Sequence, residues 1–149
     1  MPSHPKNTTM AEELTIDSDH RYWLGDKHLD WPSPTLVLGE MGIVKMPEHW
    51  TEEQSDYYKS RGSAVHSITA DDDLDPDFDI EGLIPEYRIP AQRWRNFVID
   101  SKIVIDDVEM PIYNPKLQMV GCLDRRGGLL LKAGNQRCLV DIKTGAVPA

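Results

Sequence analysis

Val120-Gly121-Cys122-Leu123-Asp124, followed after two glycine-marked turns by Cys138-Leu139-Val140-Asp141-Ile142-Lys143-Thr144-Gly145, is the stretch on which the reading of this chain turns. In an extended strand, side chains two apart share a face. A strand over 138–143 therefore sets Asp141 and Lys143 on one side and Cys138, Val140 and Ile142 on the other, toward an apolar layer. An acid and a base at the end of an otherwise buried strand are costly unless they bind something. Asp124 ends the preceding apolar strand, and the two turns bring the chain back alongside it. Two carboxylates converging with an ammonium make a site for Mg²⁺ or Mn²⁺, because hard cations take oxygen ligands. The competing reading is a solvated ion pair on a surface strand, which is common and contributes little. An acid-x-Lys triplet is expected about once in a chain of this size, and Asp100-Ser101-Lys102 is a second one here. That triplet lacks the Gly-x-x-Asp strand upstream and the Thr-Gly turn downstream, so the conjunction carries the signal and the triplet does not.

Around this stretch the pattern predicts strands over Lys102–Val108, Leu117–Leu123, Leu129–Lys132 and Cys138–Lys143, with turns at Gly127-Gly128 and Gly134-Asn135. Helices come earlier. Ser33-Pro34-Thr35 offers an N-cap with proline at the first helical position, opening a short helix through Val37. Thr51 with Gln54 makes a capping box for a helix from Glu52 to about Thr69, where Gly62 implies close packing or a nearby ligand. A third helix is expected from Pro90 through Phe97, with Trp94 and Phe97 on its buried face. Arg21–Leu24, a Gly25-Asp26-Lys27 turn and Lys27–Trp31 read as a hairpin. Residues 1–13 read as a disordered lead-in, and the acidic stretch Asp71–Glu81 as a loop. The order of elements argues α/β or α+β, in one domain over 14–149.

Composition sets the bounds. The chain has 149 residues, enough for one domain with a core of its own. Sixteen Lys and Arg against twenty-five Asp and Glu give a net charge of −9, which argues against a generic basic nucleic-acid-binding patch. The charge is uneven: residues 1–85 carry six basic and eighteen acidic side chains, and residues 86–149 carry ten and seven. Two cysteines, Cys122 and Cys138, exclude a disulfide scaffold and a four-cysteine zinc or iron–sulfur site. No apolar run spans a membrane, and Met1–Glu13 lacks the apolar core of a secretory signal. Asp75, Asp77, Asp79 and Glu86 fall in a calcium-loop frame, but Ile80 holds the position that requires glycine, so a solvated loop is the better account. Trp23, Trp31, Trp50, Trp94, Tyr57 and Tyr58 could stack on bases; core and hairpin packing is the expected use.

Gly121–Asp124 followed by Asp141-Ile142-Lys143-Thr144-Gly145 resembles the paired motifs of the PD-(D/E)XK nuclease superfamily, in its RecB-like and phage-exonuclease-like branch. Arg61-Gly62-Ser63-Ala64-Val65-His66 is similar to the Arg-Gly-x-x-x-His helix that precedes the core in that branch, and Glu109 matches a glutamate often found ahead of the first motif. The resemblance implies a restriction-endonuclease-like core, a central mixed β-sheet flanked by α-helices. It implies metal ligation by Asp124, Asp141, the Ile142 carbonyl and His66, with Glu109 and Arg61 in support. Lys143 would orient or help deprotonate the attacking water. The implied cofactor is Mg²⁺ or Mn²⁺ with no iron–sulfur cluster, and the implied activity is hydrolysis of DNA by an exonuclease of recombination or phage replication. DNA would be the partner in the bacterial or phage-infected cytoplasm, alongside a recombination protein or a second copy of the chain, and no membrane. A helix carrying Gln-x-x-x-Tyr, which the branch places after the catalytic strand, has no counterpart up to Ala149, so a domain lacking its C-terminal helices is expected. The alternatives are a sequence-specific endonuclease of the same superfamily and a non-catalytic nucleic-acid- or protein-binding module on a truncated nuclease fold.

Overall fold

The computed structural model describes residues 12–43, 47–131 and 134–144. It is an α/β arrangement of two three-stranded antiparallel sheets and three helices. The first sheet is a small meander of β1 (Leu14–Ile16), β2 (Tyr22–Leu24) and β3 (Lys27–Leu29), with the expected tight turn at Gly25-Asp26. Gly25 takes φ +56° there, a left-handed conformation that suits glycine. Asp17 organises the β1–β2 connection by accepting hydrogen bonds from the Asp19 and Arg21 amides, the Arg21 Nε and the Trp23 indole.

Ser33 caps α1 (Pro34–Glu40), its hydroxyl accepting from the Leu36 amide as the sequence predicts. The predicted capping box opens α2 (Glu52–Leu74): Thr51 Oγ1 accepts from Gln54 N at 3.1 Å, and Gln54 Oε1 accepts from Thr51 N at 3.0 Å. Glu52 and Glu53 sit in the first turn, where carboxylates complement the helix dipole. This helix runs past the expected end at Thr69 because the acidic residues there have partners. Asp72 pairs with Arg95, and Asp73 accepts from the Trp94 indole and from Arg125. Part of the stretch read as a solvated loop is therefore helix.

The next helix, α3 (Pro85–Ser101), begins earlier than expected, with Pro85 at its first position and Pro90 inside it. An internal proline lacks the amide for the backbone ladder and costs about 3 kcal/mol in an ordinary helix. Burial of the following turn offsets this: Ala91 is 0% and Trp94 7% exposed. Phe97, expected on the buried face, is instead 44% exposed, although its ring lies 5.5 Å from that of Trp94. The other aromatics divide likewise. Trp50 stacks on Tyr58 at 4.4 Å, yet Tyr57 and Tyr58 remain exposed.

The second sheet is made of β4 (Ile103–Asn114), β5 (Met119–Leu131) and β6 (Gly134–Val140), in that order. The predicted mixed sheet is not what these strands form: every described pairing is antiparallel. A parallel pair needs a crossover of a dozen or more residues, whereas β4 reaches β5 through the Pro115–Gln118 turn, braced by Asn114 Oδ1 accepting from the Lys116 and Leu117 amides. Gly127 and Gly128, read as a turn, lie inside β5 opposite Ile105 and Val104. A Cβ at Gly127 would overlap the Val104 carbonyl oxygen, so this glycine permits close strand approach and does not reverse the chain. Gly134 opens β6 at φ +115°. That strand ends at Val140, so Asp141 and Lys143 lie beyond it, outside any strand. Lys132, Gly145 and residues 1–11 of the expected lead-in fall outside the described residues.

The core lies where α2 and α3 cover this sheet. The buried residues there are Val65, Thr69 and Ala70 of α2, Ala91 and Trp94 of α3 and Ile103 of β4, together with Ile80 in the connection between the helices. Val120 N of β5 donates to Pro32 O, in the segment between β3 and α1, at 3.2 Å. No helix among the described residues is long and apolar enough to cross a membrane.

Candidate metal centre

One face of α2 presents Gly62, His66, Thr69 and Asp73, spaced by four, three and four residues so that they line up along the helix. Each meets a different part of the sheet side. A Cβ at Gly62 would stand 3.1 Å from Thr144 Oγ1, the close packing expected of that glycine. His66 reaches Glu109 of β4 and Asp124 of β5, which stand across from one another between the pairs Val108–Arg125 and Met110–Leu123. Its Nδ1 lies 3.6 Å from Glu109 Oε1 and 3.7 Å from Asp124 Oδ1. The three side chains bring donor atoms within 4.8 Å of one another.

The other ring nitrogen is committed. His66 Nε2 lies 2.9 Å from the carbonyl oxygen of Ile142, and since a carbonyl can only accept, Nε2 carries the hydrogen. In a neutral ring the Nδ1 lone pair then faces two carboxylate oxygens, a repulsive arrangement that a proton or a metal cation between them relieves. Metal-binding histidines commonly donate their second N–H to a backbone carbonyl in this way, which fixes the tautomer. Asp124, mostly buried, holds the same segment from the other side: its Oδ2 accepts the Ile142 amide at 2.6 Å. Arg61 adds a third grip, donating from Nη1 to Thr144 O at 3.1 Å.

Glu109 sits at φ +47°, a left-handed conformation that costs a non-glycine residue energy and is held by its surroundings. The holding group is Arg125, fully buried at 0% exposure. Its guanidinium donates to Glu109 Oε1 at 2.9 Å, Asp73 Oδ2 at 2.5 Å, Asp124 O at 2.6 Å and Thr69 Oγ1 at 3.0 Å. It also lies 5.4 Å from the centre of the Trp94 ring. The negative field of the cluster is felt by Cys122, whose thiol is pushed up to about 11 by desolvation and by the Glu109 and Asp124 carboxylates. Its Sγ lies 3.8 Å from Glu109 Oε2.

No family model, curated protein or solved structure matches the chain.

Among the residues singled out from sequence, His66, Glu109 and Asp124 come together, and the Ile142 main chain is bound to two of them. Arg61 approaches the same segment from α2 while its Nε stays 3.6 Å from Glu86. Asp141 is not among the clustered ligands. Its carboxylate is 65% exposed and lies 2.6 Å from Lys143 Nζ, itself 81% exposed. Face alternation placed the two together, but the chain has already left β6, so they meet as an exposed ion pair beside the clamp on Ile142. Sequence reasoning missed Arg125, Thr69 and Asp73. The one available signal was Arg125-Arg126 following Asp124 in an apolar strand, where a buried cation requires a buried acid.

The donor set of one imidazole and two carboxylates suits a divalent cation that accepts oxygen with some nitrogen.

Proposed function

We propose that this chain is a metal-dependent deoxyribonuclease related to the PD-(D/E)XK superfamily, with a restriction-endonuclease-like core and an exonuclease's activity on DNA ends. The observation that carries the reading is the convergence of His66, Glu109 and Asp124, with Nδ1 of His66 turned toward both carboxylates while Nε2 is held by the Ile142 carbonyl. In this reading the three side chains hold Mg²⁺ or Mn²⁺. When bound at such a site, the cation supplies a lowered pKa for a water ligand and charge neutralisation for a phosphoryl group. Lys143, long and exposed, is free to leave Asp141 and hydrogen-bond the attacking water or a phosphate oxygen.

A second reading has one observation in its favour. The Asp141–Lys143 pair is mutually satisfied in solvent, as befits a non-catalytic module that binds nucleic acid or protein.

The two readings separate in one assay. End-labelled linear DNA and covalently closed circular DNA are incubated with the protein in Mg²⁺, Mn²⁺ or EDTA. The nuclease reading expects metal-dependent loss of the linear substrate, abolished in Asp124→Ala and reduced at least a hundredfold in Lys143→Ala. Cleavage of the circle would make the enzyme an endonuclease. Binding without cleavage, unchanged in both variants, would establish the module and remove the nuclease.

A further inference from the structure

We infer that His20, carried on the β1–β2 turn, is a contact residue for the phosphate backbone of nucleic acid lying in the cleft over His66 and Glu109. The inference rests on the nuclease reading and extends it to a residue outside the metal cluster and outside every motif that led to it.

The cleft has a volume of about 520 Å³, within the range of ligand sites, roughly 300–1,000 Å³. α2 lines it with Ser63, His66, Ser67 and Asp71, β4 with Glu109, and the β1–β2 turn with His20. Two carboxylates in the lining repel a phosphodiester, so an anionic chain needs compensating donors there. His66 has committed Nε2 to the Ile142 carbonyl and Nδ1 to the cluster. His20 is the other imidazole, and it is exposed.

The turn that carries it is built for fixed presentation. His20 is held at φ +58°, with its amide donating to Asp17 O at 3.0 Å. Asp17 N in turn donates to Arg21 O at 3.0 Å. All four hydrogen bonds to the Asp17 carboxylate come from Asp19, Arg21 and Trp23, and none from the His20 ring. Those bonds hold the Asp17 carboxyl down at about 2, so the locking charge persists at any working pH. Asp19 is paired with Arg21 at 2.9 Å, which draws the neighbouring acid to a partner of its own. The His20 ring takes no part in the hydrogen bonds that build the turn, so it is available to the cleft that His20 lines. An imidazole can donate a hydrogen bond to a phosphate oxygen, which is the role proposed for His20 at the edge of this cleft.

The test is binding without turnover. Fluorescence anisotropy of a labelled duplex oligonucleotide is measured with Ca²⁺ replacing Mg²⁺, for wild type and His20→Asn. Asparagine tolerates the left-handed backbone, so the turn survives while the ring is withdrawn. The expected result is a loss of affinity of about tenfold, the scale of one hydrogen bond to a charged group, with Mn²⁺ affinity and melting temperature unchanged. Asp17→Asn, which unlocks the turn and leaves the ring in place, is expected to weaken binding in the same direction. Wild-type affinity in His20→Asn overturns the inference and leaves the nuclease reading standing. Failure of the wild type to bind the oligonucleotide removes both.

Discussion

His66 Nε2 and the Ile142 carbonyl oxygen lie 2.9 Å apart, and this contact decides what the rest of the imidazole does. With that nitrogen donating, Nδ1 can only present a lone pair or a second proton to Glu109 and Asp124. A helix side chain is thereby oriented by the main chain that follows the last strand of the sheet.

Metal affinity should follow the cluster and not the sequence motif. Asp124→Ala and His66→Ala are each expected to weaken Mn²⁺ binding tenfold or more, whereas Asp141→Ala, whose carboxylate lies with Lys143, is expected to change it less than threefold. Isothermal titration or Mn²⁺ electron paramagnetic resonance checks this. An Asp141 effect as large as that of Asp124 would place Asp141 among the ligands.

Removing the buried guanidinium should be severe. Arg125→Met leaves Asp73 and Glu109 without their shared partner, and breaking a buried charge pair costs about 3–5 kcal/mol. Urea denaturation measures the loss. Combining Arg125→Met with Asp73→Asn is expected to recover part of it, because one of the stranded charges is gone.

Gly127→Ala is expected to destabilise by about 1–3 kcal/mol or more, as overpacking does, because the added methyl would meet the Val104 carbonyl in the neighbouring strand. Gly128→Ala, with its nearest contact at an ordinary 3.9 Å, should cost far less. Thermal melts of the two variants side by side give the comparison.

The Asp17 turn should register in acid. Hydrogen bonds from the Arg21 amide and the Trp23 indole, foremost among several, lower the carboxyl from 3.8 to about 2. A folded-state value below the unfolded one means that the stabilisation is full above 3.8 and disappears as pH falls through about 2. The difference in melting temperature between wild type and Asp17→Asn should accordingly be constant above pH 5 and close progressively in strong acid.

What the sequence disclosed was whatever depends on near neighbours. Thr51 with Gln54, Ser33 with Pro34 and the Gly25-Asp26 turn are complete within a few residues, and each appears as read. What it concealed depends on partners far along the chain. Asp72 and Asp73 look like solvated loop until Arg95, Trp94 and Arg125 arrive from other elements. Gly127 looks like a turn until Val104 lies beside it. The candidate site divides along the same line. Asp124 was nameable from the strand pattern, and His66 and Glu109 only through the resemblance to a nuclease motif, but the exclusion of Asp141 follows from where β6 ends. Arg125, which holds the glutamate, is marked in the linear string only by its place after Asp124 in an apolar strand.

The segment after β6 is gripped at its peptide groups. Asp124 takes the Ile142 amide, His66 the Ile142 carbonyl, and Arg61 the Thr144 carbonyl. Such a hold is indifferent to the side chains it carries. Residues 141 and 143 can be exchanged without moving the backbone path, so chemistry could be gained, altered or lost there by single substitutions while the scaffold registers no change.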